Sequence, residues 1–231
     1  DSIELWATQY KIDSFRFDLM GHQPRAVMEA LGRRVDAATG RRVNLIGEGW
    51  NFGEVADGSR FVQASQLSLN GSGIGTFSDR ARDALRGGGP SDSGKALVER
   101  KGWLNGLGND RDAPGAAAAL AQAAELVRVG LAGSLRDYAL VDLHGKPVLL
   151  SDIDYHGQPA GYASQPDEEV NYVENHDNQT LFDNNAYKLP RTTSSADRAR
   201  VQVLGAAITA FSQGIAYFHA GMEVLRSKSM D

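Results

Sequence analysis

The stretch that decides the fold is Ile12-Asp13-Ser14-Phe15-Arg16-Phe17-Asp18. Its apolar and polar residues alternate with a period of two, which predicts a β-strand. After Gly21 and Pro24, the apolar residues of segment 26–35 fall at helical spacing, and segment 42–47 returns to a short apolar strand. A strand, a helix and a second strand in this order are typical of a parallel sheet.

The same alternation continues along the rest of the chain. Segment 77–85 has helical character, and the alanine-rich segment 116–136 is predicted to be a packing helix. A glycine-rich passage at 71–75 lacks the Lys-Ser/Thr ending of a phosphate-binding loop, so we interpret it as a turn. The remaining predictions are a loop at 87–94, a long loop at 143–167, strands at 170–173 and 215–218, and a helix at 196–211.

The composition is that of a globular protein: 231 residues, 42% hydrophobic and 23% charged. The net charge of -5 argues against nucleic acid or an anionic membrane surface as a partner. The chain has no cysteine, which excludes disulfides, thiol catalysis and a thiolate metal site. It also has no uninterrupted apolar run of ~18 residues. The compartment stays open, with secretion or the periplasm favoured over the cytoplasm.

Three acidic residues follow predicted strands: Asp18, Glu48 and Asp177. In a barrel of parallel strands, catalytic groups lie at the carboxyl ends of different strands and face one shared mouth. Glycoside hydrolysis requires such acids, because one carboxylate attacks the anomeric carbon and another protonates the leaving oxygen. The sequence therefore predicts a carbohydrate-cleaving site.

The neighbours of these acids predict their roles. Arg16 is two residues from Asp18 on the same strand face, so it is expected to lower the pKa of that carboxyl and keep it ionised, as a nucleophile requires. Glu48 has no basic residue adjacent in sequence, and an apolar setting is expected to raise its pKa, which suits a general acid. Trp50 offers a flat face to a sugar ring, and His176 can donate hydrogen bonds to sugar hydroxyls.

Three motifs resemble those of the α-amylase superfamily, and they occur in that family's order. Segment 15–22 resembles the nucleophile motif in its debranching form, 46–50 the acid/base motif, and 173–178 the stabiliser motif. Further segments are similar to those of pullulanases and limit dextrinases, and they lie at 51–56, 73–80 and 220–229.

This resemblance implies a retaining hydrolase of α-1,6-glucosidic branch points in pullulan, amylopectin or limit dextrins. It makes Asp18 the nucleophile, Glu48 the acid/base and Asp177 the transition-state stabiliser. The implied substrate-binding residues are Arg16, His176 and Trp50. Asn51 and Asn178 lie beside the catalytic motifs and are also predicted to reach a sugar. The implied partner is an α-glucan, no redox or nucleotide cofactor is required, and the oligomeric state is left open. Calcium often accompanies the superfamily, but no dense run of acidic ligands places it.

The resemblance also implies an α/β fold, a (β/α)₈ TIM barrel present only in part, over about strands 4 to 8. A complete barrel typically needs ~250 residues. The family's first motif, an aspartate shortly followed by Asn-His, is absent from the sequence. Residues 1–231 are therefore expected to be an internal part of the catalytic domain, without strands 1 to 3, amino-terminal modules or a carboxyl-terminal β-sandwich. Such a piece is expected to expose strand edges and to be unstable or inactive alone.

Two alternatives remain at this stage. One is a non-catalytic amylase-like domain that binds glucan, and the other is an isoamylase or an α-1,4-acting relative. Other conspicuous residues are given structural roles: His22 is expected to be structural, and Glu174 is expected to form an ion pair. The remaining histidines are too scattered for a metal site, and they are His144, His156 and His219.

Overall fold

The computed structural model describes residues 1–109 and 112–229. The chain divides into two compact units. The first unit comprises Asp1–Phe77 and Tyr162–Val170, and the second comprises Ser78–Gly161 and Asn171–Asp231.

Parallel strands form the centre of the first unit. Its elements are α1 (Ser2–Gln9), β1 (Ser14–Phe17), α2 (Arg25–Thr39), β2 (Asn44–Gly47) and β3 (Gly75–Phe77), followed by most of β8 (Glu169–Asn171). β1 pairs with β2, β2 with β3 and β3 with β8, and all three pairings are parallel. The predicted strand–helix–strand order at the start of the chain is confirmed.

Helix α2 lies between β1 and β2 in the chain. Its apolar residues pack against the sheet. Met28 is buried against Leu45 of β2 and Met20, while Val35 packs with Val43 in a second small cluster. The helix ends at Gly40, which adopts a left-handed φ of 68° that glycine accepts without a steric penalty.

The second unit surrounds a larger apolar cluster. Its helices are α3 (Asp79–Arg86), α4 (Lys95–Glu99), α5 (Ala116–Leu131), α6 (Leu181–Lys188) and α7 (Ser195–Phe211). Its antiparallel hairpins are β4 (Ala139–Val141) with β5 (Pro147–Leu149) and β6 (Asp154–Tyr155) with β7 (Gln158–Pro159), and its last strand is β9 (Ile215–Ala216). The buried cluster draws on helices and hairpins alike, with Leu85, Val129, Leu150, Val173 and Leu181 among its members.

The expected (β/α)₈ barrel of strands 4 to 8 is wrong. The strand order is β1-β2-β3-β8-β9, with two separate two-stranded sheets. β8 runs into the second unit at Asn171, whose carbonyl accepts a bond from Tyr217 N at 2.9 Å. Among the described residues, the chain between β3 and β8 contains two antiparallel hairpins besides its helices, so the strands do not form the expected strand–helix series.

Several predicted boundaries also move. The helix predicted at 116–136 ends at Leu131, because the chain turns through a left-handed Gly133. The strand predicted at 170–173 is Glu169–Asn171, and Phe77 belongs to β3 rather than to the helix that follows. The long loop predicted at 143–167 contains β5, β6 and β7, because Gly and Pro there mark hairpin turns. None of the described helices combines the length and apolar character needed to cross a bilayer. The assignment of residues 1–231 to part of one catalytic domain stays a prediction.

Candidate active site

One guanidinium joins two carboxylates in the first unit. Phe17 and Gly47 are partners in the parallel register of β1 and β2, so the next residues, Asp18 and Glu48, leave the sheet at the same end. Arg16 donates to Asp18 Oδ1 at 2.6 Å and to Glu48 Oε1 at 2.7 Å. The two acids predicted to work together are therefore brought together around Arg16.

The two carboxylates are close but differ in environment. A carboxylate oxygen of Asp18 and one of Glu48 lie within 4.8 Å of each other. The Asp18 side chain is 62% exposed, whereas that of Glu48 is 3% exposed. Leu19 N also donates to Glu48 Oε2 at 3.0 Å, so both oxygens of the buried acid are hydrogen-bonded. The two carboxylates of the pair therefore differ in their access to solvent.

The expected apolar setting of Glu48 is wrong. Glu48 is buried, yet its nearest charged partner is Arg16, which lies 32 residues away in sequence. The aromatic ring of Phe77 on β3 lies 5.5 Å from the centre of the same guanidinium. Only the register of the parallel strands brings these groups together, so a search for adjacent basic residues could not find the contact.

The loop after Glu48 is closed by a reciprocal pair of hydrogen bonds. Asn51 Nδ2 donates to Asp57 Oδ1, and Asp57 N donates to Asn51 Oδ1, both at 2.8 Å. The ring of Phe52 packs edge-on against His22, with ring centroids 4.7 Å apart. His22 therefore has the structural contact expected of it. Asn51 closes this loop beside Trp50, and the sugar contacts predicted for both residues stay predictions.

The stabiliser motif lies in the second unit, beyond the end of β8. His176 Nε2 lies 3.4 Å from Asp177 Oδ1, and Asp177 N donates to Asn175 Oδ1 at 2.8 Å. Asn178 adopts a left-handed φ of 56°, and its amide donates to Pro90 O at 2.9 Å. The two side chains of the motif predicted to meet a sugar, His176 and Asp177, are about half exposed.

Two cations hold the carbonyl groups of this segment. Arg86 donates to Val173 O at 3.0 Å and to Gln179 O at 2.7 Å. Lys228 donates from Nζ to His176 O and, at 2.6 Å, to Asn178 O. Burial, assisted by the nearby charge of Arg82, lowers the pKa of Arg86 to about 10. Neither residue was predicted from the sequence, although Lys228 lies in segment 220–229, which is similar to pullulanases.

Glu174, which is predicted to form an ion pair, lies in the same unit. Glu174 is 1% exposed and lies 3.7 Å from Arg226 NH2, which confirms the expected ion pair. Its second oxygen accepts a bond from Leu181 N at 2.6 Å. A polar cleft nearby was not foreseen, and its lining residues include Arg82, Arg86, Asp92, Asn178 and Lys188.

No known protein-family profile matches the chain. Individual proteins do match it. It is 45% identical over 234 residues to a pullulanase of Klebsiella pneumoniae, covering 99% of this chain and 21% of that protein. It is 43% identical over 245 residues to the chloroplastic pullulanase 1 of Arabidopsis thaliana, covering 100% of this chain and 25% of the relative. The chain thus spans about a quarter of the length of these curated relatives or less.

Solved structures give the same result for the fold. The maltotriose complex of PulA from Klebsiella pneumoniae superposes on this chain with a TM-score of 0.92 at 44% identity. That superposition covers 100% of this chain and 25% of the Klebsiella chain. The pullulanase resemblance expected from the motifs is therefore confirmed, at 43–45% identity over nearly the whole chain.

Proposed function

We propose that the protein containing these residues is a retaining glycoside hydrolase that cleaves α-1,6-glucosidic branch linkages in pullulan, amylopectin or limit dextrins. The observation that carries the proposal is the pair of carboxylates, Asp18 and Glu48, within 4.8 Å around Arg16. Retaining glycosidases hold their two carboxyl groups ~5–5.5 Å apart, whereas inverting ones leave ~6.5–9.5 Å for a water molecule. The short separation favours retention.

In the proposed first step, a carboxylate oxygen of Asp18 attacks the anomeric carbon while Glu48 gives its proton to the glycosidic oxygen. The bond from the anomeric carbon to that oxygen breaks, and a glycosyl ester forms on Asp18. In the second step Glu48 takes a proton from water, the water oxygen attacks the same carbon, and the ester bond to Asp18 breaks. Two inversions at one carbon retain its configuration.

The environment of Asp18 supports its proposed role as the nucleophile. Asp18 is open to solvent and bonded to a guanidinium, which stabilises the anionic nucleophile. Glu48 is buried and accepts hydrogen bonds from Arg16 and Leu19 N, so its proposed role as the proton donor rests on the acid/base motif. Asp177 is proposed to stabilise the positive charge that develops on the sugar ring, as the stabiliser motif implies.

The proposed ligand is an α-glucan chain. A relative's structure is a complex with maltotriose, which supports an oligosaccharide as the bound molecule. Arg16, Trp50, Asn51, His176 and Asn178 are proposed to contact it. No nucleic acid or membrane partner is proposed, and a secreted or periplasmic location is the favoured one.

The proposed chemistry needs only side chains and water, so no cofactor is required. Calcium is the ion that the superfamily suggests. The Asp18–Glu48 pair does not suit it, because the guanidinium of Arg16 already bonds an oxygen of each carboxylate. Activity of the proposed enzyme is expected to survive EDTA, and a loss that calcium reverses would assign the ion a role elsewhere.

The test is pullulan hydrolysis by the whole natural polypeptide that contains these 231 residues. The expected product is maltotriose, released first as its α-anomer by NMR, and Asp18→Asn is expected to abolish release. Linear amylose is the comparison substrate. Preference for amylose would indicate an α-1,4-acting enzyme, and a folded protein that binds glucan without cleaving it would indicate a binding domain.

A further inference from the structure

The segment that carries Asp177 is held through its backbone. Lys228 Nζ donates to the carbonyl oxygens of His176 and Asn178, the residues on either side of Asp177. We propose that Lys228 is a positioning residue, which fixes the Asp177 carboxylate by clamping these two carbonyls. This inference rests on the proposed function, in which Asp177 stabilises the transition state.

The clamp has a clear electrostatic basis. Two carbonyl oxygens directed at the same point repel each other unless a cation lies between them, and an ammonium group has three donors that can satisfy both. The residue after Asp177, Asn178, holds a left-handed φ of 56°, a conformation that persists when its surroundings impose it. Lys228 and the Asn178–Pro90 hydrogen bond at 2.9 Å supply such surroundings.

Lys228 is itself anchored. Its backbone N donates to Asp183 Oδ2 at 2.7 Å, and Ser227 Oγ donates to Asp183 Oδ1 at 2.6 Å. Asp183 is fully buried in the first turn of α6, where its backbone N donates to the capping Thr180 Oγ1 at 3.0 Å. The backbone of Lys228 is therefore tied to a helix end of the second unit, which limits the positions that its ammonium can reach.

The geometry predicts that loss of the clamp lowers kcat and leaves KM nearly unchanged. Asp177 is about half exposed, so its direction depends on the backbone that carries it. A displacement of about 1 Å in a catalytic group can cost roughly 10²-fold in rate. Loss of the clamp should therefore lower kcat by roughly 10²-fold while KM stays within about twofold, because the clamp acts on a group needed in the transition state.

The experiment compares the whole natural polypeptide with four variants on pullulan, one of which is Asp177→Asn. Lys228→Met removes the ammonium and keeps the length of the side chain, and Lys146→Met is the matched control at an exposed lysine of the same unit. Lys228→Cys is assayed before and after alkylation with 2-bromoethylamine, which rebuilds an ammonium at nearly the same distance. Alkylated wild type controls for reaction elsewhere.

The expected result is a fall in kcat for Lys228→Met and Lys228→Cys, restored by alkylation of the cysteine and absent in Lys146→Met. A merely structural lysine would lower Tm and leave kcat per folded molecule unchanged, which would overturn the proposal. Lys228→Met with normal kcat, beside an inactive Asp177→Asn, would refute the clamp and leave the proposed function intact. An active Asp177→Asn would instead remove the proposed role of Asp177 and the clamp with it.

Discussion

Arg16 on β1 forms an ion pair with Glu48 at the end of β2, at a distance of 2.7 Å, while the Glu48 side chain is 3% exposed. Two neighbouring strands are thus joined by a nearly buried pair of charges. Removal of one partner from such a pair leaves the other charge buried without compensation, which usually costs more than the pair itself contributes.

Arg16→Met is therefore expected to lower the free energy of unfolding by about 3 kcal/mol, because Glu48 loses its cation but not its burial. Urea unfolding of the whole polypeptide measures the change. The control is Arg34→Met, which breaks exposed ion pairs to Asp1 and Glu4 and is expected to cost less than about 1 kcal/mol. Equal losses for the two variants would contradict a special role for the buried pair.

Glu48→Gln is expected to separate proton transfer from nucleophilic attack. Pullulan cleavage needs a proton on the leaving oxygen, so its rate should fall roughly 10³-fold, within the usual contribution of a general acid. Fluoride leaves without protonation, so the first turnover of α-maltotriosyl fluoride should fall less than about tenfold. Single-turnover fluoride release measures this step.

Asp18→Asn is the matched control. If Asp18 is the nucleophile, this variant should lose activity on pullulan and on α-maltotriosyl fluoride equally. An Asp18→Asn variant that still released fluoride at the wild-type rate would exclude this role. If Glu48→Gln lost activity on pullulan and on the fluoride equally, the role of Glu48 as the proton donor would be contradicted.

Helices α3 and α5 approach closely at a glycine. A Cβ atom added at Gly130 would lie 2.3 Å from the Cβ atom of Ala81. Gly130→Ala should gain roughly 1 kcal/mol in helix propensity but lose more through overpacking, for a net destabilisation of about 1–2 kcal/mol. Thermal unfolding measures the change.

Two comparisons make the Gly130 prediction specific. Gly108→Ala adds a methyl group where no atom lies within 4 Å, so it should change Tm little. The double variant Gly130→Ala/Ala81→Gly should regain packing space, because it moves the methyl group from one helix to the other. Failure of Ala81→Gly to restore any stability would place the cause of destabilisation outside this contact.

The sequence predicted the existence and order of the first strands better than it predicted contacts between strands. The alternation before Asp18 and the apolar run before Glu48 located β1 and β2, because both patterns are local. The Arg16–Glu48 pair depends on the register that sets Arg16 opposite Ile46, and no local pattern encodes that register. The Lys228 contact with His176 spans 52 residues and escaped prediction for the same reason. The barrel expectation came from the resemblance, and the five-stranded sheet with two separate hairpins corrects it.

Lys188 links the stability of the second unit to alkaline pH. It is 2% exposed, and its Nζ donates to Arg86 O at 2.8 Å and to Gly87 O at 2.7 Å. Burial first, and then the charge of Arg86, lower its pKa from 10.5 to about 8, against the opposing influence of Asp92 and Asp83. A neutral amine can still donate to both carbonyls, so the folded state tolerates loss of the proton.

The sign of the effect follows from proton counting. Between pH 8 and 10.5 the unfolded chain holds the Lys188 proton and the folded chain has released it, so the free energy of unfolding rises with pH in this window. The increase in the free energy of unfolding from pH 7 to pH 10 should be roughly 2 kcal/mol larger in the parent than in Lys188→Met. Urea unfolding at both pH values measures it. Lys146→Met, at an exposed site, should keep the parent's dependence. Tyrosines and other lysines also titrate at high pH. The contribution of Lys188 is therefore the difference between parent and variant in the pH dependence of the free energy of unfolding. The same pH dependence in parent and Lys188→Met would show that the buried amine keeps its ordinary pKa.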